Sequence, residues 1–329
     1  MIDLLVAGAN VPPVHGGIER FVDGLARHVS PSTAVRRLPP SGPRALASMA
    51  TAPRARVVLA AEWWPAARAL SSLPRRGTRA VLLHGSEVRR SLGRPDARRS
   101  LRRSLAACDV LLANSTYTAG LVADAGAAAS VLHPGVDLDR PADDPASVAR
   151  RYDVAGRPVV LTAARLVRRK GHVGLLQAWD VVRRRHPDAI WLIAGDGPER
   201  AAVESAAGEG VRVLGAVDDR ALAGLLRLAD LHVLPGIEVD GEVEGFGMAA
   251  VEAGAAGTPT VGTDVGGTAE AVGCGGVVVP PDPEAVACAV ADLLDEPTQL
   301  AALGRAARRR AEALAWPLVA ARFREEVGL

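Results

Sequence analysis

Lysine is almost missing from this sequence. Of 39 basic residues in a chain of 329, one is lysine, Lys170, and the rest are arginine. No Lys-Ser or Lys-Thr pair exists, which excludes a Walker-type phosphate loop. Aromatics are few: three Phe, two Tyr and five Trp leave the core to Val, Leu, Ile and Ala. Three cysteines (Cys108, Cys274, Cys288) lack metal-ligand spacing and cannot all pair, so they read as free thiols in a reducing cytoplasm. No uncharged apolar run approaches the roughly 18 residues that a spanning helix needs. The opening run, residues 1–7, has neither a basic n-region nor a long apolar h-region, and this argues against a signal peptide.

What is present points to two domains. The length usually makes two, and 49% apolar residues can fill both cores. A net charge of +2 hides an asymmetry. Residues 1–140 carry 19 basic and 10 acidic groups, a balance of +9, while residues 141–329 carry 20 and 27, a balance of −7. Seven arginines fall between Arg89 and Arg103. They read as a solvated helix face or as a contact for an anionic acceptor or an anionic membrane surface, the latter making the protein peripheral at the inner face. Aromatics are absent there, so a stacking groove for nucleic acid is not expected.

Apolar runs alternate with helical patterns along the whole chain. The strand-like runs are 2–7, 56–60, 80–83, 109–113 and 130–132, then 159–163, 189–194, 211–214, 231–234, 260–262 and 276–279. Continuous apolar strands separated by helices imply parallel sheets covered on both faces. The pattern restarts after the Pro- and Asp-rich stretch 139–145. The expected fold is therefore α/β, with two Rossmann-like domains, 1–140 and 141–329, facing a central cleft and binding ligands at the strands' carboxyl ends.

Lys170 closes the stretch Arg165-Leu166-Val167-Arg168-Arg169-Lys170-Gly171, just after an apolar run. A compact point charge kept where arginine was the default reads as a site that admits no fork, with phosphate oxygen its usual partner, or as chance retention on a solvated face. Glycine-rich turns follow other strands. Gly16-Gly17 precedes a helix and leaves the backbone open to close approach. In Glu244-Gly245-Phe246-Gly247-Met248, a helix starting at Met248 would aim bare N–H groups at an anion, with Glu252 one turn inside it. Gly262 to Glu270 repeats the layout. Together they describe a diphosphate site flanked by carboxylates for a polyhydroxyl ligand.

These motifs, in order, resemble the retaining glycosyltransferases of family 4 (GT4), which have the GT-B fold and include bacterial mannosyl- and N-acetylglucosaminyltransferases. They are Pro13-Val14-His15-Gly16-Gly17-Ile18-Glu19, His84-Gly85, Asn114-Ser115, His133-Pro134-Gly135-Val136-Asp137, Arg165-Leu166 with Lys170-Gly171, Ala194-Gly195-Asp196-Gly197-Pro198-Glu199, and the Glu-x7-Glu segment ending at Glu252. The resemblance implies that Arg165 and Lys170 clamp the donor diphosphate. It implies that Glu244 lies near the donor sugar, Glu252 on the ribose hydroxyls, His84 beside the transferred sugar and Gly17 at the phosphates. Gly16, Gly215, Val217, Gly245, Phe246, Gly247 and Met248 complete the expected donor contacts. Asn10, His15, Glu19, Trp63, Trp64, Glu87, Arg89 and Asn114 are the candidate acceptor contacts. Trp63 and Trp64 read equally as ring-stacking or as helix-packing residues. The loop 236–243 is longer than in many members and is similar to that of the phosphatidylinositol-mannoside mannosyltransferases, which use GDP-mannose. The last helix, about 316–327, is expected to cross back to the first domain, as in the family.

The implied reaction moves a hexose-type sugar from a nucleoside-diphosphate sugar, of GDP-mannose or UDP-GlcNAc/UDP-glucose type, to a hydroxyl on a small-molecule, glycan or lipid acceptor. Cations and helix N–H groups would stabilise the departing diphosphate, so neither metal nor cofactor is expected. Asp137-Leu138-Asp139 is formally Asp-x-Asp but lies on the hinge approach and reads as structural. A nicotinamide dehydrogenase is disfavoured, because strand one leads into Gly8-Ala9-Asn10 rather than G-x-G-x-x-G. A GT-B sugar-nucleotide epimerase and a non-catalytic carbohydrate-binding relative are the alternatives.

Overall fold

The computed structural model describes residues 1–11, 16–40, 42–75 and 77–329. His15, among the candidate acceptor contacts, lies outside the described residues, as do Pro13 and Val14. The chain divides into two compact units. One comprises Met1–Gly135 with Leu314–Leu329, and the other Val136–Ala313. The division falls five residues before the 140/141 boundary read from the sequence, because Gly135 packs under a tryptophan of the last helix.

In the first unit six parallel strands, β1 (Ile2–Gly8), β2 (Thr33–Arg37), β3 (Ala55–Ala60), β4 (Thr78–Leu83), β5 (Val110–Ala113) and β6 (Ser130–Val131), take the order β2-β1-β3-β4-β5-β6. Successive side chains point to opposite faces, and both faces are covered. Leu5, Ala7, Val58 and Ala60 join one core, while Leu4, Val6, Val57 and Leu59 join the other. Strand β2 is absent from the apolar runs above. Its sequence, Thr-Ala-Val-Arg-Arg, carries charge because it is an edge strand with no fully buried residue.

The last helix, Trp316–Val327, belongs to this unit. Its Trp316, Val319, Ala320, Phe323 and Val327 enter the core beneath β1 and β3. Trp316 is 3% exposed, lies flat on the His28 ring at 5.6 Å and meets Phe21 at 6.1 Å. Gly24 is small for this reason, since a Cβ there would come within 1.9 Å of the indole.

In the second unit strands β7 (Val159–Ala163), β8 (Ile190–Ala194), β9 (Val211–Gly215), β10 (Leu231–Leu234), β11 (Thr260–Thr263) and β12 (Gly276–Val279) are again all parallel, in the order β12-β11-β10-β7-β8-β9. Trp191 and Ile193 face one core, while Ile190 and Leu192 face the other. Each sheet has a point where the winding direction reverses, between β1 and β3 in the first and between β7 and β10 in the second. Crevices for ligands open outside the carboxyl ends at such points.

Trp316→Ala should destabilise the first unit by about 3–5 kcal/mol, the usual loss for a truncated core aromatic. Denaturant unfolding followed by a probe in that unit measures it. A change below about 1 kcal/mol would show that the last helix merely rests on the surface.

Candidate active site

At the second unit's reversal point, two loops leave adjacent strands and meet. After β7 the chain forms a single turn of 3-10 helix, Arg168–Lys170, and enters the helix His172–Arg185 through Gly171 at φ 70°. The Pro235 carbonyl after β10 packs against Gly171 so closely that any Cβ there would strike it. The Ile237 N–H donates to the Arg169 carbonyl at 2.8 Å and the Thr263 hydroxyl donates to the Gly236 carbonyl at 2.5 Å. The long loop then reverses through Asp240 and Gly241, both at positive φ, with Val239 and Glu242 exchanging backbone hydrogen bonds of 2.8 and 3.1 Å. Asp-Gly is the pair that such a turn demands. This folded loop returns the chain to Glu244.

Glu244 carries the centre of the site. Its Oε2 accepts a short hydrogen bond from Lys170 Nζ and another, at 3.0 Å, from Arg169 Nη1, while Glu242 approaches Arg169 at 4.0 Å. Burial alone would raise the Glu244 carboxyl. The Lys170 and Arg169 charges outweigh it and hold the group down at about 2. A small depression lined by Thr162, Ala164, Lys170, Leu234, Pro235, Gly236, Glu244 and Thr268 opens here.

The glycine turns meet at this point. Gly267 N–H donates to the Glu244 carbonyl at 2.9 Å, and a Cβ on Gly266 or Gly267 would overlap the Glu244 or Gly245 carbonyl. Gly247, at φ 99°, starts the helix Met248–Ala255. Phe246 is 2% exposed, so its ring packs inward rather than forming a surface. Glu252, inside that helix, pairs with Arg140 Nη1 at 3.4 Å, while Arg140 Nη2 reaches Asp219 at 2.9 Å. Gly215 (φ 72°) ends β9 beside Arg200, followed by Ala216 and the partly buried Val217.

Of the expected clamp, Lys170 lies on Glu244, whereas the exposed Arg165 side chain makes no hydrogen bond or ion pair among the described residues. Arg169 and Arg140 complete this centre and were not singled out from the sequence. Arg169 was visible only as one of three adjacent basic residues, and nothing local marked Arg140, which is 112 positions from Glu252.

In the first unit the reversal point holds a different arrangement. Glu62, fully buried after β3, accepts hydrogen bonds from Ala9 N–H (2.7 Å), Asn10 N–H (3.3 Å) and Asn10 Nδ2 (3.4 Å). Gly8 has no room for a Cβ against that carboxylate. Burial pushes the Glu62 carboxyl up to about 7, more strongly than these N–H groups lower it. Burial and the nearby Glu62 also raise Glu87, whose Oε1 accepts from His84 N–H at 3.2 Å. His84 is 5% exposed, its Nε2 lies 2.9 Å from the Ala61 carbonyl, and burial holds it down at about 4, so the ring is neutral. Glu19 (9% exposed) stands beside Gly16, where the helix Gly17–His28 begins.

The remaining acceptor candidates scatter. Asn114 is buried and accepts from the Thr118 hydroxyl at 2.7 Å, fastening the helix Thr116–Asp124. Arg89 Nη1 donates to the Tyr117 hydroxyl at 2.8 Å. Trp63 is buried and packs in the core, while Trp64 is 43% exposed. The arginine-rich stretch forms two helices, Gly85–Leu92 and Pro95–Ala106, separated at Gly93-Arg94. Arg98 and Arg102 donate hydrogen bonds to the Asp124 and Ala125 carbonyls at the end of the helix Thr116–Asp124. Asp139, in the formal Asp-x-Asp, has a 94% exposed side chain and, among the described residues, forms an ion pair only with Arg308, at 3.8 Å. Among the described residues no three His, Cys, Asp or Glu side chains form a metal-binding group, and no helix is long and apolar enough to cross a membrane.

The same pair of sheets recurs in solved glycosyltransferases of the GT-B class. HepE from Anabaena, solved with UDP, superposes with a TM-score of 0.79 over 100% of both chains at 19% identity. A sucrose-phosphate synthase from Thermosynechococcus elongatus reaches 0.82 over 98% of each chain at 20% identity. At those identities the likeness defines the fold.

The sequence goes further. The model described as Glycosyltransferase Family 4 matches residues 5–140, and that described as Glycosyl transferases group 1 matches 150–310. A GDP-mannose-dependent alpha-(1-6)-phosphatidylinositol monomannoside mannosyltransferase of Mycolicibacterium smegmatis is 38% identical over 270 residues, covering 75% of this chain and 70% of that protein. A D-inositol 3-phosphate glycosyltransferase of Streptomyces avermitilis is 33% identical over 241 residues, covering 66% and 51%. The chain belongs to glycosyltransferase family 4, and it is a glycosyltransferase that uses a nucleotide sugar.

The opposed carboxyl shifts give a stability test. Because Glu62 is raised in the folded state, its penalty is absent below pH 4.5, grows as the unfolded carboxyl ionises, and is complete above about 7. His84 is lowered and works in the opposite sense between about 4 and 6.5, as do His172 and His232, so the wild-type profile alone does not report Glu62. The difference between wild type and Glu62→Gln isolates the carboxyl, and the variant should gain relative stability as pH rises from 4.5 to 7. A constant difference across that range would mean that Glu62 is ionised throughout.

Proposed function

We propose that this protein transfers mannose from GDP-mannose to a hydroxyl of a phosphoinositide-type lipid, with retention at the anomeric carbon and without a metal ion. The observation that carries the reading is Lys170 and Arg169 gathered on Glu244, below the glycine turn that opens Met248–Ala255. The mannosyltransferase relatives support the choice of sugar, base and acceptor class.

The donor diphosphate binds against Lys170, Arg169 and Arg165, with the Gly245–Met248 backbone N–H groups as further donors. Glu244 is already ionised, so it positions both cations before the donor arrives and accepts from the sugar hydroxyls. Glu252, oriented by Arg140, takes the ribose hydroxyls, and the turn Gly215–Val217 borders the base. The acceptor oxygen bonds to the anomeric carbon as the bond to the phosphate oxygen breaks. The hydroxyl proton passes to that departing oxygen, on the face from which the diphosphate leaves. Negative charge grows where the cations stand, which is the largest catalytic contribution in such sites. The first unit, with its exposed arginines Arg90, Arg94, Arg99 and Arg103, supplies the surface for an anionic acceptor at the inner face of the membrane.

Two outcomes test this. Lys170→Ala should lower kcat by about 100- to 1,000-fold with the fold intact, and Lys170→Arg should also be impaired, since a fork replaces a point charge. Wild-type turnover in Lys170→Arg would remove the lone lysine from the mechanism. In a donor panel with phosphatidylinositol-containing vesicles, GDP-mannose should be used in preference to UDP-glucose and UDP-GlcNAc, with an α-linked product and full activity in EDTA. Preference for a UDP-sugar, an inverted product, or loss on chelation restored by Mg²⁺ would each overturn the corresponding part.

A further inference from the structure

Far from the carboxyl ends that hold Glu62 and His84, the first unit contains a cavity of about 240 Å³ near the amino ends of β3 and β4. Its walls are Leu5, Met49, Val58, Leu70 and Leu73, with Ala52 at the side and two arginines, Arg54 and Arg79. Native cores rarely leave voids larger than a water molecule, and even an engineered void of about 150 Å³ suffices for benzene. This one lies beside a charge. Arg79 follows the alternation of β4, so its side chain shares a face with Val81 and Leu83, which enter the core. The residue is 5% exposed.

Arg79 is short of partners. One guanidinium N–H donates to the Leu73 carbonyl at 2.7 Å. The carboxylate of Asp109 is occupied by Arg75 at 2.6 Å and by the backbone N–H of Arg79 at 2.9 Å, and does not reach the Arg79 guanidinium. The remaining Arg79 donors have no partner among the described residues. Arginine stays protonated even when buried, so the cavity carries a fixed positive charge at an apolar wall. A second arginine, Arg54, stands exposed at its margin.

We propose that this cavity binds a fatty-acid-type ligand, with the acyl chain along Leu5, Val58, Leu70 and Leu73 and the carboxylate on Arg79. Free phosphate would satisfy the charge but bury no apolar surface, and an uncharged alcohol would do the reverse. Only an amphiphilic anion meets both walls. The site does not depend on the identity of the sugar donor.

Calorimetric titration of the full-length protein with decanoate below its micelle concentration tests the assignment, alongside decanol and inorganic phosphate. Decanoate should bind saturably at one site per chain. Decanol binding to wild type, and decanoate binding to Arg79→Gln, should each be weaker by about tenfold or more, the worth of a charged hydrogen bond. Ala52→Trp, which fills the cavity and leaves Arg79 unsubstituted, should abolish binding while its thermal unfolding stays cooperative. Phosphate alone should give no saturable heat. The proposal falls if decanoate does not saturate, if decanol binds equally well, if Ala52→Trp binds as wild type does, or if phosphate alone binds through Arg79. The decanol comparison and Ala52→Trp decide the matter even if Arg79→Gln fails to fold.

Discussion

The ion pair of Lys170 and Arg169 with Glu244 governs the second unit's functional end. A carboxylate buried there alone would take up a proton, and two cations alone would repel each other. Together they leave an ionised acid and two oriented donors in a fixed array. The array exists because two loops are pressed together at the sheet's reversal point. Gly171 under the Pro235 carbonyl, and Gly266 and Gly267 under Glu244 and Gly245, allow a backbone approach that no side chain would permit. The preorganisation of this array is thus a property of backbone contact, and the placement of the charges is its consequence.

The two sheets place a glutamate at the same topological position with opposite results. Glu244 meets cations and is held at about 2, while Glu62 meets only N–H donors and is pushed to about 7. Desolvation acts on both in the same direction, so the difference is the presence of fixed positive charge. The first is an anion at any physiological pH and holds Lys170 and Arg169 in place. The second is bonded to Asn10 and has no cation on its carboxylate to offset burial.

Most of the architecture was legible in the sequence because buried parallel strands must be continuously apolar. Eleven of the twelve strands among the described residues fall in apolar runs of the sequence, including the edge strands β6, β9 and β12. The exception, β2, is an edge strand whose arginines reach solvent, and its hydrogen bonds to β1 leave no mark in composition. The arginine-rich stretch shows the converse limit. Helical spacing suggested one charged face, but Gly93 to Pro95 breaks it into two helices and folds Arg98 and Arg102 back onto carbonyls. Likewise the long loop before Glu244 could be measured from the sequence, whereas its closure through Asp240 and Gly241 is a matter of backbone torsion.

By itself the sequence determined the α/β class, the two-part organisation, the glycine turns and the single lysine, since each depends on residue type within a short window. Tertiary structure alone decided which arginine joins Lys170, that Arg140 braces Glu252, that Asn114 is spent on a helix start, and that Arg79 is buried with one side-chain hydrogen bond. Asn114 and Arg79 bond partners four and six positions away, but the ion pairs on Glu244 and Glu252 depend on distances of about 3 Å between residues 74 to 112 positions apart. Such distances are set by how strands order themselves within a sheet, and nothing in the local pattern of either partner encodes that order.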